Sequence, residues 1–308
     1  MKIVITGVAG FIGSNLADRL LTEGHDVLGI DNLAYGLREQ VPPGVEFVEL
    51  DIRDRTIDGA LKGAGAVYHL AAKNCIPDCE DDPAETASIN VEGSVNVFEA
   101  ARRANVPKVI YAETSALYEG SGKFPSVESD VAPQSFYAIS KFAGMAFAKR
   151  YREHFGMRMT ALRYFNVYGP RQDYRRSIPP VMSAFIMKLL QGRRPIVYGS
   201  GRKRRDFIFV DDVNDFHVAC LTDPRTDGGT YNLGSGRNHS VLEIYEKVAE
   251  LVGVRIEPEH RPDIPGDEAQ ETLADITAAR ALGWAPKVSL EDGLLRSIAF
   301  IRDHVLAG

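Results

Sequence analysis

The sequence predicts an α/β protein, a doubly wound parallel sheet followed by a smaller α/β portion. Three observations predict it. Strand and helix signatures alternate over the first half of the chain. A glycine-rich turn stands directly after the first strand and opens a helix. After residue 169 the rhythm breaks into a stretch rich in Pro, Arg and Gly. Together they give the Rossmann type, with a smaller α/β substrate-binding C-terminal domain and a cleft at the carboxyl ends of the strands.

The elements follow in order. KIVITG (2–7) is a short apolar run ending in Gly, the pattern of a buried strand. Residues 13–23 carry Leu16, Leu20 and Leu21 on one face and read as a helix. HDVLGIDN (25–32), VEFVELDI (45–52) and AVYHLAA (66–72) are the next strands, and a helix near 84–104 leads to a fifth, KVIYAET (108–114). Helical connections of this length imply parallel strands with right-handed crossovers. Residues 135–155 read as a helix, and MTALRYFNVYG (159–169) as a strand followed by a turn. A helix at 178–191 interrupts the loops of 170–206. FIFVDDVNDFHVACL (207–221) is a strand and helix, and YNLGSG (231–236) a strand with a Gly-rich end. A helix at 240–252, a loop-like stretch at 254–272 and a last helix at 289–305 complete the chain. Residues 1–169, with 207–236 returning to them, form the expected dinucleotide-binding domain. Residues 170–206 and 237–308 form the expected substrate-binding portion.

Composition excludes several classes. A length of 308 residues suits one large α/β domain or two unequal ones. The net charge of −6 argues against a general nucleic-acid binder, which needs a basic face. No stretch approaches the ~18–20 apolar residues of a membrane span. The first apolar run breaks at Gly7 and reads as a strand, so no signal peptide is expected. Three cysteines are too few for a disulfide framework, and a cytoplasmic location is expected. Cys75 and Cys79 stand four apart with no further ligands beside them, so no metal is expected.

TGVAGFIG places Gly7, Gly10 and Gly13 between strand and helix. The first permits a tight turn, the second lets backbone approach a pyrophosphate, and the third lets helix and strand pack closely. The phosphates then meet the positive helix N-terminus. Asp31 ends the second strand 18 residues after Gly13. A carboxylate there accepts from ribose hydroxyls and repels a 2′-phosphate, which favours NAD over NADP. Asp51 ends the third strand and either approaches the adenine or caps the strand end. Phe11, Ile12, Asn32, Ile52, Leu70, Ala71 and Ala72 complete the expected cofactor lining.

SFYAISK carries Tyr137 and Lys141 at i and i+4 on a helix, on one face and one turn apart. An ammonium there, with the positive charge of a nicotinamide, is expected to lower the tyrosine pKa from its usual ~10. The phenolate can then take a proton from a sugar hydroxyl while hydride leaves for NAD. Thr114, at the end of a strand, precedes Tyr137 by 23 residues.

With these residues the chain resembles the extended short-chain dehydrogenases/reductases of the NAD-dependent nucleotide-sugar epimerase/dehydratase family. The resemblance covers nearly the whole length. It rests on TGVAGFIG (6–13), DN (31–32), DIRD (51–54), HLAA (69–72), NVEGSVNV (90–97), Thr114, Tyr137 with Lys141, RYFNVYGPRQ (163–172), RRDFIFVDDV (204–213), YNLGSG (231–236) and LGWAPK (282–287). It implies that Thr114 holds the sugar O4, that Tyr137 is the catalytic base, and that Lys141 is its partner and binds the nicotinamide ribose. Asn166 and Arg205 would hold the substrate diphosphate, and a guanidinium suits that task. The other charges of the run Arg202-Lys203-Arg204-Arg205 are expected in a solvated loop. The family's basic residue before Pro-Gly-Asp is replaced by Ile264, so Arg261 is expected to stand in. Ile178-Pro179 lies where relatives cover a uracil, which makes UDP the expected nucleotide. The helices near 90–104 and 136–155 are expected to pair with their copies in a homodimer through Phe98, Phe142 and Phe147.

The family shares a first step, hydride transfer from sugar C4 to NAD. A 4-epimerase then returns the hydride to the other face. A dehydratase instead eliminates water across C5–C6, which needs a base and an acid. The Asp–Glu pair that 4,6-dehydratases carry between Thr and Tyr is absent, since Thr114 is followed by Ser115-Ala116. Yet Glu119 follows Tyr118 where the family has Gly, and Lys73, Asn74 and Cys75 fill the loop after HLAA. The reading adopted from these departures is dehydration, with UDP-N-acetylglucosamine as expected substrate and a 5,6-ene or 6-deoxy product. Glu119 or Cys75 would be the base, and Lys73 or Glu119 the acid. Glu113 is expected to be structural, since strand alternation aims it away from Thr114. The alternative is a UDP-hexose or UDP-N-acetylhexosamine 4-epimerase. A non-catalytic NAD-binding regulator would keep the glycines and lose the Tyr–Lys pair, and here both are present.

Overall fold

The computed structural model of the chain describes residues 1–176, 178–264 and 269–306. Its main sheet is built from β1 (Lys2–Thr6), β2 (Asp26–Asp31), β3 (Glu46–Glu49), β4 (Ala66–His69), β5 (Lys108–Thr114), β6 (Arg158–Tyr164) and, after three strands placed elsewhere, β10 (Thr230–Leu233). The order is β10-β6-β5-β4-β1-β2-β3, with every pair parallel. Parallel strands covered on both faces read as continuous apolar runs, and the interior strands β1 and β5 are buried along almost their whole length. From β1 the chain goes one way to β2 and the other way to β4. The crevice at this switch point is where such a sheet binds its ligand.

Helices α1 (Phe11–Thr22) and, near the end of the main sheet's chain, α8 (Val210–Thr222) cover one face. The short α2 (Ile57–Ala60), α3 (Ile76–Asp81) and α4 (Pro83–Ala87) precede α5 (Ser94–Arg103), which covers the other face with α6 (Phe136–Phe155). The predicted helix near 84–104 is therefore α4 and α5 joined by a wide turn at Ser88–Gly93. That turn aims the Asn90 amide at both the N–H and the C=O of Lys73, each at 2.8 Å. Such widened turns recur at functional sites. Ser135 caps α6 through the Ala138 N–H, and Gly156 closes it at φ +68°. Gly144 lets α6 lie close on β5, since a Cβ there would meet the Tyr111 hydroxyl at 2.1 Å.

RYFNVYG does not stay in one sheet. The strand β6 ends at Tyr164, the buried Phe165 turns, and β7 (Asn166–Tyr168) enters a second sheet. There β7 pairs with β9 (Arg204–Phe209), which pairs antiparallel with β11 (Asn238–Ser240). A third pair joins β8 (Ile196–Tyr198) to β12 (Glu259–Arg261) inside the stretch expected to be loop. Around these strands α7 (Val181–Leu190), α9 (Val241–Val252) and α11 (Leu290–Phe300) share their own apolar core, and α10 (Thr277–Arg280) packs by β10. Of the segment 207–236, β10 and α8 join the large sheet's layers, whereas β9 belongs to the small sheet.

One expectation fails on packing. Phe98 does not face outward for a second copy. It is fully buried, edge-on to His69 and Tyr111, because α5 turns this face onto the sheet. Phe142 and Phe147 are 40% and 43% exposed. Among the described residues no helix is long and apolar enough to cross a membrane, and no group of three His, Cys, Asp or Glu could hold a metal ion.

Candidate active site

A cavity of about 540 Å³ opens above the switch point, within the range of ligand sites. Gly7, at φ +78°, could carry no side chain: a Cβ would stand 2.8 Å from the Ala71 nitrogen. At Gly13 a Cβ would meet the Gly7 carbonyl oxygen at 2.2 Å. The backbone thus lies bare where a pyrophosphate would approach. No side chain caps α1, and no acidic residue occupies its first turn, so its positive end is left to a ligand. Asp31 accepts from the Ala9 N–H at 3.0 Å and the Leu33 N–H at 2.9 Å. Burial pushes its carboxyl up, and those two bonds oppose the shift. Asp51 accepts from Arg53 and Asn32, and the Arg53 side chain holds it down at about 2. Phe11, Ile12, Asn32, Ile52, Leu70, Ala71 and Ala72 line the same cavity. This donor set and bare backbone fit a dinucleotide.

Thr114, Tyr137 and Lys141 all line this cavity. The end of β5 supplies Thr114, and the first turns of α6 supply the pair. The Thr114 hydroxyl stands near enough to Tyr137 to favour its phenolate. Burial dominates Tyr137 and pushes it up to about 12, and the neighbouring Thr114 hydroxyl only partly offsets this. Tyr137 is thus raised where the sequence predicts a lowering, because desolvation outweighs the groups that favour its phenolate. Lys141 is buried, is brought down to about 8 by that burial, and stands over the Tyr111 ring at 4.3 Å.

Glu113 and the departures from the family pattern have separate surroundings. Glu113 is buried and ion-paired to Arg163 at 2.7 Å. Glu119 reaches back to the start of α6, where its carboxylate accepts from the Ser135 N–H at 3.0 Å, the Ser135 hydroxyl at 3.1 Å and the Gln134 N–H at 3.3 Å. Lys73 donates to Glu85 at 2.7 Å; burial pulls its pKa down, Glu85 pushes it up, and the net shift is upward. Glu113, Glu119, Lys73 and Asn74 line the cavity, whereas Cys75 is not among its lining residues. Cys75 stands before the short α3, and burial raises its thiol pKa.

A second cavity opens, about 600 Å³, with Ile178, Pro179 and Ile264 in its wall. Asn166 and Arg205 border both cavities, which places them at the junction. The sheet change after Tyr164 does this, by setting Asn166 opposite Phe207 in the β7–β9 register. Asn166 donates to the Asp206 carbonyl and the Thr272 hydroxyl. Arg261 lines neither cavity and is paired with Glu259 on the surface at 2.8 Å. The Pro-Gly-Asp stretch after Ile264 lies outside the described residues. Lys203 and Arg204 do not stand free in a loop, since Lys203 pairs with Asp263 and Arg204 opens β9 and pairs with Glu243.

Sequence reasoning counted the loop at 171–180 among those that build the sugar pocket, but did not single out the arginines of its strap at residues 171–176. Arg175 donates to the Tyr35 carbonyl at 3.0 Å, and Arg176 donates to Asn74 at 2.8 Å and Asp173 at 2.7 Å. Arg176 borders both cavities, and its charge is felt at Tyr137. The arginine pair after GPRQD was its only sequence trace.

Comparison with known proteins adds to this geometry. Residues 3–234 match the NAD dependent epimerase/dehydratase family. The chain is 37% identical to the UDP-glucose 4-epimerase of Mycolicibacterium smegmatis, over 98% of this chain and 99% of that protein. It is similar to the crystal structure of UDP-glucose 4-epimerase from Thermotoga maritima with UDP-glucose: TM-score 0.94, 33% identity, 98% of this chain and 99% of that one. It is also similar to the Thermus thermophilus UDP-glucose 4-epimerase in complex with NAD, at TM-score 0.93 and 33% identity over 99% of this chain and 100% of that one.

Proposed function

The chain belongs to the NAD-dependent epimerase/dehydratase family, and from that premise we propose that it is a 4-epimerase of a UDP-hexose or UDP-N-acetylhexosamine. NAD is its cofactor, and its part is to accept hydride from sugar C4 and give it back. The carrying observation is the convergence of Thr114, Tyr137 and Lys141 on the wall of one dinucleotide cavity.

Each residue then has a task. Thr114 orients the sugar O4 hydroxyl. Tyr137 takes the O4 proton as C4 is oxidised and returns it as C4 is reduced. Lys141 holds the ribose next to the nicotinamide and lends positive charge to the phenolate. Asn166 and Arg205, at the junction of the cavities, hold the diphosphate. Ile178 and Pro179 cover the nucleotide base in the second cavity.

Epimerisation needs no further acid or base, whereas dehydration needs both. The surroundings of the expected acid–base set favour the simpler outcome. Glu119 is engaged by the start of α6, Lys73 is paired with Glu85, and the Cys75 thiol is held protonated. The near relatives named above support the same choice. A homodimer forms part of this reading, through the exposed apolar side chains of α6.

Proton NMR of UDP-glucose and of UDP-N-acetylglucosamine with the NAD-loaded protein in D2O tests it. The expected result is the C4 epimer of one or both, with no deuterium at C5. Alkene signals, or a 6-methyl signal with deuterium, would return the reaction to elimination. Failure to convert either sugar would remove the epimerase reading.

A further inference from the structure

Glu113 is a buried charge beside the site that the proposed chemistry leaves unused. It is 2% exposed and stands beside Thr114 in β5. Opposite it in the register lies Arg163 of β6, whose Nε donates to its Oε2 at 2.7 Å. The rest of the guanidinium is spent elsewhere, on the Tyr118 hydroxyl, the Glu128 carbonyl and the Met145 sulfur. The second carboxylate oxygen, Oε1, is buried and has no hydrogen-bond partner among the described residues. An unmet buried carboxylate oxygen costs about 1–3 kcal/mol or more, so its retention calls for another favourable charge.

That charge is on α6. Tyr111 and Glu113 are two apart in β5 and share one face of the strand. Lys141 rests on the Tyr111 ring at 4.3 Å. One helical turn further along α6, Met145 touches Arg163. Glu113 therefore lies under α6, between the contacts made by Lys141 and Met145. Among the described residues the Lys141 ammonium has no ion pair or hydrogen bond of its own. The groups facing it are Tyr111 and Glu113 from β5, His69 from β4 and Tyr137 from its own helix. His69 is buried, is bonded to Thr6 and Ser94, and is neutral. Arg163 faces Glu113 from β6. Glu113 is thus the one anion in that set.

We propose that Glu113 is a positioning residue for Lys141: its carboxylate keeps the Lys141 ammonium charged and seated at the Tyr137–nicotinamide end of the cavity. The proposal rests on the role given above to the Tyr137–Lys141 pair. Burial drives Lys141 down to about 8, and Glu113 is the influence that opposes the fall. The cation is present below that pH and is lost as pH rises through it. Without Glu113 the loss comes at lower pH, into the neutral range.

The test compares Glu113→Gln with the parent across pH by two readouts. One is the dissociation constant for NAD. The other is the single-turnover rise near 340 nm on adding UDP-sugar. The parent should weaken in both as pH passes about 8. In E113Q the alkaline limb should move down by about one unit or more, roughly a fivefold loss relative to the parent at pH 8. Glu113→Asp, which keeps the charge, should keep the parent limb. If E113Q does not fold, E113Q combined with R163M removes both charges of that ion pair and should show the same displacement. A limb unmoved by removal of the carboxylate, with only the melting temperature lowered, would overturn the proposal. So would a parent NAD affinity that is flat from about pH 7 to 9. If no UDP-sugar gives a 340 nm rise with the parent, the epimerase reading fails, and the NAD affinity profile alone still decides the role of Glu113.

Discussion

At the scale of single residues, Tyr137 shows how far local spacing carries. The i, i+4 placement of Tyr137 and Lys141 was legible because one helical turn sets it, whatever the rest of the fold does. The pKa of the tyrosine was not legible, because burial is a property of the assembled sheet and helix. Held at about 12 by burial, Tyr137 is a protonated phenol at neutral pH. Its basic form must be brought out by the charges of Lys141 and the bound nicotinamide. Tyr137→Phe removes the proton acceptor and leaves the ring. The rate of C4 oxidation should fall by roughly 10²–10⁴-fold while NAD still binds. Stopped-flow absorbance near 340 nm reads the first quantity and calorimetry the second. Turnover within tenfold of the parent would give the base role to another group. The Glu113–Arg163 pair was legible only in half. Alternation pointed to a structural Glu113, but its partner depends on the register of two strands 50 residues apart.

At the scale of elements, long periodic segments were readable and pairings across the chain were not. The strands of the large sheet and helices α1, α6, α8, α9 and α11 all stand close to where apolar spacing and glycines place them. The strands β7, β8 and β12 are three residues each and carry little pattern of their own. Their partners decide them. The strap at 171–176 is a similar case, since it has no regular structure and is fixed by what its arginines reach. Tyr35 and Asn74, which accept from Arg175 and Arg176, both line the dinucleotide cavity. Changing both arginines to Ala removes two exposed cross-cleft bonds. At about 0.5 kcal/mol each in water, NAD should bind about fivefold more weakly. Calorimetric titration of the double variant measures this. An affinity within twofold of the parent would mean that the strap takes no part in holding the cofactor.

At the scale of the whole molecule, the unmatched surface is on α6. Phe136, Ile139, Phe142 and Phe147 are each 40–47% exposed and fall on the side of α6 away from Tyr137 and Lys141. Single exposed apolar residues are ordinary, but a row of aromatics along one helix marks a contact surface. The same helix carries Tyr137 and Lys141 on its inner side, so whatever covers the outer side also braces the site. A second copy of the chain is the proposed cover, since two such helices present the same apolar row to each other about a two-fold axis. Phe98 takes no part in it, being buried against the sheet. Sedimentation velocity should show a dimer for the parent. Phe142→Glu combined with Phe147→Glu places two charges in that contact and should give monomers with the fold intact by circular dichroism. If the dimer forms as the row of aromatics implies, the monomeric variant should also lose activity, because α6 is no longer held from outside. A parent that sediments as a monomer at micromolar concentration would leave the row without a partner of its own kind. A double variant that remains dimeric would move the interface to another face.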